Sequence, residues 1–124
     1  VRIVMGSSEV ASGSQILNAD SETVAIKSRD LQELITLAQA RGFNQLLIES
    51  GPTFGTALMK AGLIDEVILY QAPTFFGSGT PSISDLGVAT ISKRLDFEIA
   101  DVEVIGADLK ITLIKSANQE EGGR

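Results

Sequence analysis

The sequence predicts one α/β domain with a mixed, mainly parallel sheet that is flanked by helices and ends in an antiparallel hairpin. Three observations predict this class. The chain of 124 residues has 44% hydrophobic content, which suits a single sizeable core. Short apolar runs alternate with helical patterns, and the last third alternates apolar and polar residues. We therefore expect a domain at residues 1–115, whereas the polar, aperiodic residues 116–124 are expected to be a disordered tail.

The first two predicted strands are short and rich in β-branched residues. Residues 1–5 form an apolar run that Gly6 stops, and residues 23–26 form the second strand. A serine-rich loop follows the first strand, so Ser7 and Ser8 lie at a strand's carboxyl end. Serine hydroxyls at such positions also bond the local backbone, which is their ordinary structural role.

An amphipathic helix follows the second strand. Its apolar residues recur at helical spacing, and they are Leu31, Leu34, Ile35, Leu37 and Ala38. Either Ser28 or Asp30 caps its start, and Gly42 ends it after Arg41. This helix is expected to cross over to a third strand at residues 45–48.

The next elements continue the same alternation. A second helix is predicted at residues 53–61, with Gly62 as its C-terminal glycine. Residues 66–72 form the fourth strand, which Pro73 ends. The order strand, helix, strand, helix, strand predicts a core of parallel strands.

The rest of the chain changes character. Residues 75–81 form a glycine-rich loop. Residues 95–105 and 109–114 alternate apolar and polar side chains and are joined around Gly106, which predicts a long antiparallel hairpin. An exposed apolar face on this hairpin would invite association. We therefore expect a homodimer that uses this region.

Composition excludes several classes of function. The sequence has no cysteine and no histidine, so it excludes disulfides, thiol nucleophiles, Ser-His-Asp triads and the usual zinc sites. The net charge of −6 argues against a nucleic-acid partner. No apolar stretch approaches the roughly 18 residues of a membrane-spanning helix. We expect a cytoplasmic protein without a metal or a membrane partner, whose chemistry comes from carboxylates, hydroxyls, backbone amides or a bound cofactor.

Residues 45–57, QLLIESGPTFGTA, bring a carboxylate, backbone donors and a helix dipole together. The first N–H groups of a helix that begins at a glycine turn have no partners, and with the dipole they make an anion site for phosphate or pyrophosphate. Gly51 allows close backbone approach, Pro52 suits the first turn because it has no N–H, and Gly55 leaves that turn's outer face bare. Glu49 lies at the carboxyl end of its strand, where ligands of open α/β sheets bind.

Each of these residues also fits an ordinary structural role. A strand-to-helix turn uses glycine for its geometry alone in many proteins. An acid such as Glu49 near the positive end of a helix is stabilising by about 0.3 to 1 kcal/mol without binding anything.

The run at residues 46–79 is similar to the C-terminal reductase domain of the bifunctional riboflavin biosynthesis deaminase-reductase, a pyrimidine reductase with a dihydrofolate-reductase-like fold. The matching elements are a strand, Glu-x-Gly-Pro-Thr at residues 49–53, a helix, Gly-Leu-Ile-Asp-Glu at residues 62–66, another strand, and Pro73 before the loop. The opening VRIVMGS resembles the family's Arg-(Val/Ile)-Val-Leu-Asp-Ser segment, with Gly6 where Asp is usual. The resemblance implies the C-terminal part of a dihydrofolate-reductase-like domain whose N-terminal part is missing.

The resemblance also implies an activity, a cofactor and site residues. The activity is NADPH-dependent reduction of the ribosyl group of 5-amino-6-(5-phosphoribosylamino)uracil to ribityl, for which the isolated chain is incomplete. Seven residues are implied to cradle the NADPH phosphates, and they are Gly51, Pro52, Thr53, Phe54, Gly55, Thr56 and Ala57. Ser7 is implied as a further cofactor contact. Glu49 is implied to face the substrate, where it orients the sugar or assists proton transfer.

Two other functions fit the same residues. One is a non-catalytic nucleotide-binding or assembly module that retains the anion site. The other is a general phosphosugar-binding α/β protein, which binds ribose phosphates without preference for nicotinamide. The family resemblance also implies the homodimer that the hairpin predicts.

Overall fold

The computed structural model describes residues 1–18 and 20–116. The chain divides into two compact units, one from Val1 to Ile48 and the other from Glu49 onward. Of the predicted tail, residues 117–124 lie outside the described residues. Ser116 is described: it is buried, and its hydroxyl donates a hydrogen bond to a carboxylate oxygen of Glu98 at 2.9 Å.

The first unit contains a parallel pair of strands. Strand β1 (Arg2–Met5) pairs with strand β2 (Thr23–Ile26), and Arg2 lies opposite Thr23. A 3-10 turn at Gln15–Leu17 lies in the connection between the two strands. Both strands confirm the positions predicted from the apolar runs.

Helix α1 of the same unit spans Leu31–Arg41, as its apolar spacing predicts. Both predicted capping residues take part at its start. The carboxylate of Asp30 accepts a hydrogen bond from the Gln32 N–H at 2.9 Å, and the hydroxyl of Ser28 accepts one from the Asp30 N–H at 2.9 Å. The helix ends at Gly42, whose φ of 65° is a left-handed conformation that favours glycine.

Residues 45–48, predicted as the third strand, form no strand. Leu47 is 81% exposed, and no described strand pairs with this segment. A strand exists only through hydrogen bonds to a neighbouring strand. The prediction was wrong because an apolar run identifies residues that favour a sheet but does not supply their partner.

The described part of the second unit contains one α-helix, a 3-10 turn at Ile91–Lys93 and three strands. Helix α2 spans Pro52–Lys60, close to the predicted bounds, and Gly62 follows it with a left-handed φ of 69°. Strands β3 (Glu66–Gln71), β4 (Phe97–Ile105) and β5 (Asp108–Lys115) form a sheet in the order β3-β5-β4. Neither helix found within the described residues is long and apolar enough to cross a membrane.

The mixed α/β class and the C-terminal hairpin are confirmed, but the direction of β3 differs from the prediction. Strand β3 runs antiparallel to β5, with Leu69 opposite Ile111, and the Lys115 N–H extends this pairing to the Asp65 carbonyl at 2.9 Å. A parallel continuation from the first unit was predicted from the alternating order of elements. That order does not decide direction here, because the strand that pairs with β3 is the returning strand of the hairpin.

The three-stranded sheet has one apolar face. Residues that lie directly opposite each other share a face, and faces alternate along each strand. One side therefore carries eight aliphatic side chains together with Gln71, Phe97 and Lys115, and we call it the apolar face. Its aliphatic residues are Val67, Leu69, Ile99, Val102, Val104, Leu109, Ile111 and Leu113. Ile99 is 68% exposed and Val104 is 71% exposed. The opposite side carries polar groups, among them Tyr70, Asp101, Glu103 and Lys110.

Candidate functional site

The chain enters α2 through Gly51, which is the N-cap residue of that helix. Its φ of −72° and ψ of 173° describe an extended backbone that any residue adopts. A Cβ atom added to Gly51 would meet no atom within 4 Å. Neither backbone conformation nor packing among the described residues therefore requires glycine at this position.

Two backbone N–H groups at the start of α2 have no acceptor among the described residues. Pro52 has no N–H, and the N–H groups of Thr53 and Phe54 form no hydrogen bond there. The first bonded amide is that of Gly55, which donates to the Gly51 carbonyl at 3.2 Å. Because the helix dipole adds partial positive charge at the same end, these two amides are suited to an anion.

The other side of this turn is closed by a loop segment, residues 83–87, which we call the flanking segment. A Cβ atom at Gly55 would lie 3.6 Å from the Ile83 Cδ1 atom and 3.4 Å from the Ser50 hydroxyl oxygen. The Ser84 N–H donates to the hydroxyl oxygen of Thr56 at 2.8 Å. The outer face of Gly55 was expected to be bare; instead, it faces Ile83 and Ser50.

The predicted cofactor residues differ in accessibility. Gly51 and Thr53 are exposed, whereas four residues are half-buried, namely Pro52, Phe54, Gly55 and Ala57. Thr56 is buried, with 5% of its surface exposed. The start of α2 is therefore accessible on the side of Gly51 and Thr53, and its inner side is packed.

Glu49 lies two residues before the N-cap and is exposed. Its carboxylate forms no hydrogen bond or ion pair with any residue that the structure describes. The predicted substrate-facing acid and the seven predicted cofactor residues thus belong to one continuous segment of the second unit.

The first unit carries the remaining predicted cofactor residue. Ser7 is exposed and is separated from the end of β1 by Gly6. The Gly6 N–H donates a hydrogen bond to the Ile26 carbonyl at 3.1 Å. Gly6 has a φ of 147°, a conformation that L side chains rarely adopt. The hydroxyl of Ser7 makes no hydrogen bond within residues 1–18 and 20–116 and can take part in binding.

Other polar groups of the chain lie outside this segment. In the described residues, no three acidic side chains are close enough to hold a metal ion. A shallow, open depression runs along α1 and contains none of the predicted site residues. Shifted pKa values occur in surface ion pairs outside this segment. A hydrogen bond from Arg41 lowers the pKa of Glu22, and a hydrogen bond to Glu103 raises the pKa of Lys110.

The role of the flanking segment was not predicted from the sequence. Ile83 and Ser84 lie in an aperiodic stretch without a motif, and their contact with α2 joins residues far apart in the chain. The buried position of Thr56 on the inner side of α2 was the one available signal, because a hydroxyl buried there needs a partner.

Comparisons with known proteins extend the similarity over most of the chain. Residues 1–111 match the family model described as the RibD C-terminal domain. The riboflavin biosynthesis protein RibD of Mycobacterium tuberculosis is 29% identical over 114 residues, which cover 92% of this chain and 33% of that protein. The solved structure of Acinetobacter baumannii RibD, form 2, is 30% identical with a TM-score of 0.67, and the match covers 92% of this chain and 31% of that one.

A further relative has a more specific name. The 5-amino-6-(5-phosphoribosylamino)uracil reductase of Buchnera aphidicola is 34% identical over 71 residues, which cover 56% of this chain and 34% of that protein. The chain spans about a third of the length of these relatives.

Proposed function

The chain belongs to the family of RibD C-terminal domains, and from this we propose that it is a reductase of riboflavin biosynthesis. The proposed reaction uses NADPH to reduce the ribosyl group of 5-amino-6-(5-phosphoribosylamino)uracil to a ribityl group. The name of the Buchnera relative supports this substrate class. The observation that carries the proposal is Gly51, a glycine that the described fold does not require, beside two amides without acceptors.

The proposed cofactor site is the start of α2. The N–H groups of Thr53 and Phe54 would donate to phosphate oxygens of NADPH, and charge-assisted hydrogen bonds of this kind are worth about 1.5 to 3 kcal/mol each. A phosphate can approach them closely because Gly51 has no side chain. Gly55, Thr56 and Ala57 complete the cradle from the packed side of the helix. The cofactor, when bound, supplies the hydride.

The proposed substrate contact is Glu49. An ionised carboxylate accepts hydrogen bonds from hydroxyl groups, and that of Glu49 is exposed and engaged by no described residue. We assign it to orienting the sugar or to proton transfer at the sugar. Ser7, whose hydroxyl is exposed after β1, is proposed as the further cofactor contact.

The proposal includes an assembly and a compartment. The apolar face of the β3-β5-β4 sheet exposes aliphatic side chains in a monomer, and burying such a patch favours association. We assign it to a homodimer interface. The cytoplasm is the proposed compartment, because the proposed reaction consumes NADPH.

Titration with NADPH tests the cofactor site in two matched variants. Gly51→Asp places a carboxylate beside the two free amides without a steric clash, since nothing lies within 4 Å of the added Cβ, and Asp is a favourable N-cap residue. Repulsion between like charges is expected to raise the Kd for NADPH at least about tenfold. Gly13→Asp is the control, because Gly13 also has open space and no left-handed φ. Equal affinity of the two variants would refute the cradle.

Turnover separates the proposed enzyme from the non-catalytic alternative. The assay uses a chain extended to the length of its relatives, because the isolated chain is expected to be incomplete. NADPH oxidation that depends on 5-amino-6-(5-phosphoribosylamino)uracil and falls in Glu49→Gln supports the reductase. Binding of NADPH without such oxidation supports a nucleotide-binding module that retains the anion site.

A further inference from the structure

We propose that Thr56 is a positioning residue whose buried hydroxyl holds the flanking segment against α2, so that Ile83 forms the closed wall of the anion site. The effect on cofactor binding rests on the function proposed above, whereas the tether itself does not. This role differs from the direct phosphate contact that the family resemblance implies for Thr56.

The flanking segment follows α2 over more than one helical turn. Ile83 lies beside Gly55, Ser84 bonds to Thr56, and a Cβ atom at Gly87 would lie 3.9 Å from the Lys60 Nζ atom. These contacts occur in the same order along both segments. The flanking segment therefore runs in the same direction as α2, from Gly55 to the side-chain end of Lys60.

The Thr56 hydroxyl is the polar attachment point of this arrangement. It accepts the Ser84 N–H at 2.8 Å, while only 5% of Thr56 is exposed. The end of the flanking segment has its own local support, because the Asp85 carboxylate accepts the Gly87 N–H at 2.7 Å and Gly87 has a left-handed φ of 72°. The segment thus has a locally fixed shape, and the Thr56 bond determines where it sits on the helix.

The position of the flanking segment makes the two sides of the helix start different. On the Gly55 side, Ile83 and the Ser50 hydroxyl occupy the space next to the backbone; on the Gly51 side, the space is open among the described residues. A ligand anion is therefore admitted from the Gly51 side. In the proposed arrangement Ile83 covers the Gly55 side of the site, and an apolar neighbour that excludes water strengthens hydrogen bonds to an anion.

Three variants test this inference. Thr56→Val keeps the shape of the side chain but removes the acceptor, Thr56→Ser keeps the hydroxyl, and Ile83→Ala removes the wall but keeps the bond. The first measurement is hydrogen exchange of the Ser84 amide by NMR. We expect it to be about 3- to 10-fold faster in Thr56→Val and close to the unsubstituted rate in Thr56→Ser.

The second measurement is the Kd for NADPH. We expect an increase of about 3- to 10-fold in Thr56→Val and in Ile83→Ala, with Thr56→Ser near the unsubstituted protein. Thr90→Val is the matched control, because it removes an exposed hydroxyl interaction with Ser92 in the same loop. It should leave the Kd unchanged.

The outcomes are distinguishable. Unchanged Ser84 exchange in Thr56→Val overturns the tether. Faster exchange with an unchanged Kd in both Thr56→Val and Ile83→Ala overturns the positioning role. If Thr56→Val does not fold, an unchanged Kd in Ile83→Ala is sufficient to overturn it. Failure of the unsubstituted protein to bind NADPH refutes the proposed function, and the exchange comparison then decides the tether alone.

Discussion

The guanidinium group of Arg41 donates two hydrogen bonds to the carboxylate of Glu22, at 2.7 and 3.0 Å, and joins the last turn of α1 to the residue before β2. Two parallel N–H···O bonds are the strongest geometry for such a pair. The backbone carbonyl of Glu22 also accepts the Arg2 N–H at 2.8 Å, so this residue connects β1, β2 and α1.

This pair predicts a pH dependence of stability. The hydrogen bond from Arg41 lowers the pKa of Glu22 below its ordinary value of 4.5. The pair therefore stabilises the fold above that value, and its contribution is lost as the pH falls through the lowered pKa. We expect Glu22→Gln to lower the Tm at neutral pH and to have a diminishing effect as the pH falls below 4.5.

Glu9→Gln, which removes a single 3.2 Å contact to Lys27, should have the smaller effect at neutral pH. A Tm difference for Glu22→Gln that is the same at neutral and strongly acidic pH would contradict this.

Two glycines at helix ends predict opposite responses to the same substitution. Gly42 has a φ of 65°, so Gly42→Ser should lower the free energy of unfolding by about 1 to 2 kcal/mol. Gly51 has an extended backbone with open space around its Cβ position, and serine is the better N-cap residue. Gly51→Ser should therefore leave the free energy of unfolding unchanged or raise it by about 0.5 kcal/mol. Urea denaturation checks both, and a loss of stability in Gly51→Ser comparable to that in Gly42→Ser would show that the fold requires glycine at position 51.

The apolar face predicts how association responds to charge. Val104→Lys places a charge on that face and should weaken the dimer at least about tenfold, as measured by sedimentation equilibrium. Asp101→Asn changes the net charge by the same amount on the polar side of the same strand, so it should leave the dimer intact. A monomeric unsubstituted protein at tens of micromolar would refute the interface, as would equal weakening by the two variants.

Local signals account for most of what the sequence predicted correctly. Asp30 and Gly42 mark the two ends of α1, and Pro52 and Gly62 mark those of α2. The spacing of apolar residues distinguished helices from strands. Each of these signals acts within a few residues, where sequence distance and spatial distance agree. The motif at the start of α2 was identified for the same reason.

The features that the sequence did not predict depend on distant partners. Residues 45–48 lack a paired strand in the described structure, and β3 takes its direction from β5, which follows it by more than thirty residues. The bond from Ser84 to Thr56 also spans 28 residues. An apolar run or a buried hydroxyl shows that a partner is needed, but its identity is decided by the tertiary structure.

The tight connection between β4 and β5 has a consequence for the folding pathway. Gly106, with a φ of 64°, and Ala107 are the only residues between the two strands, whereas β3 and β5 are separated by a long connection. Closing a longer loop costs more conformational entropy, so we expect the β4-β5 hairpin to form first and β3 to pair with it later. Pulsed hydrogen exchange measures this order. Protection of the β3 amides before those of β4 would contradict it. Until β3 docks, one edge of β5 stays unpaired, and an unpaired strand edge can pair with another chain.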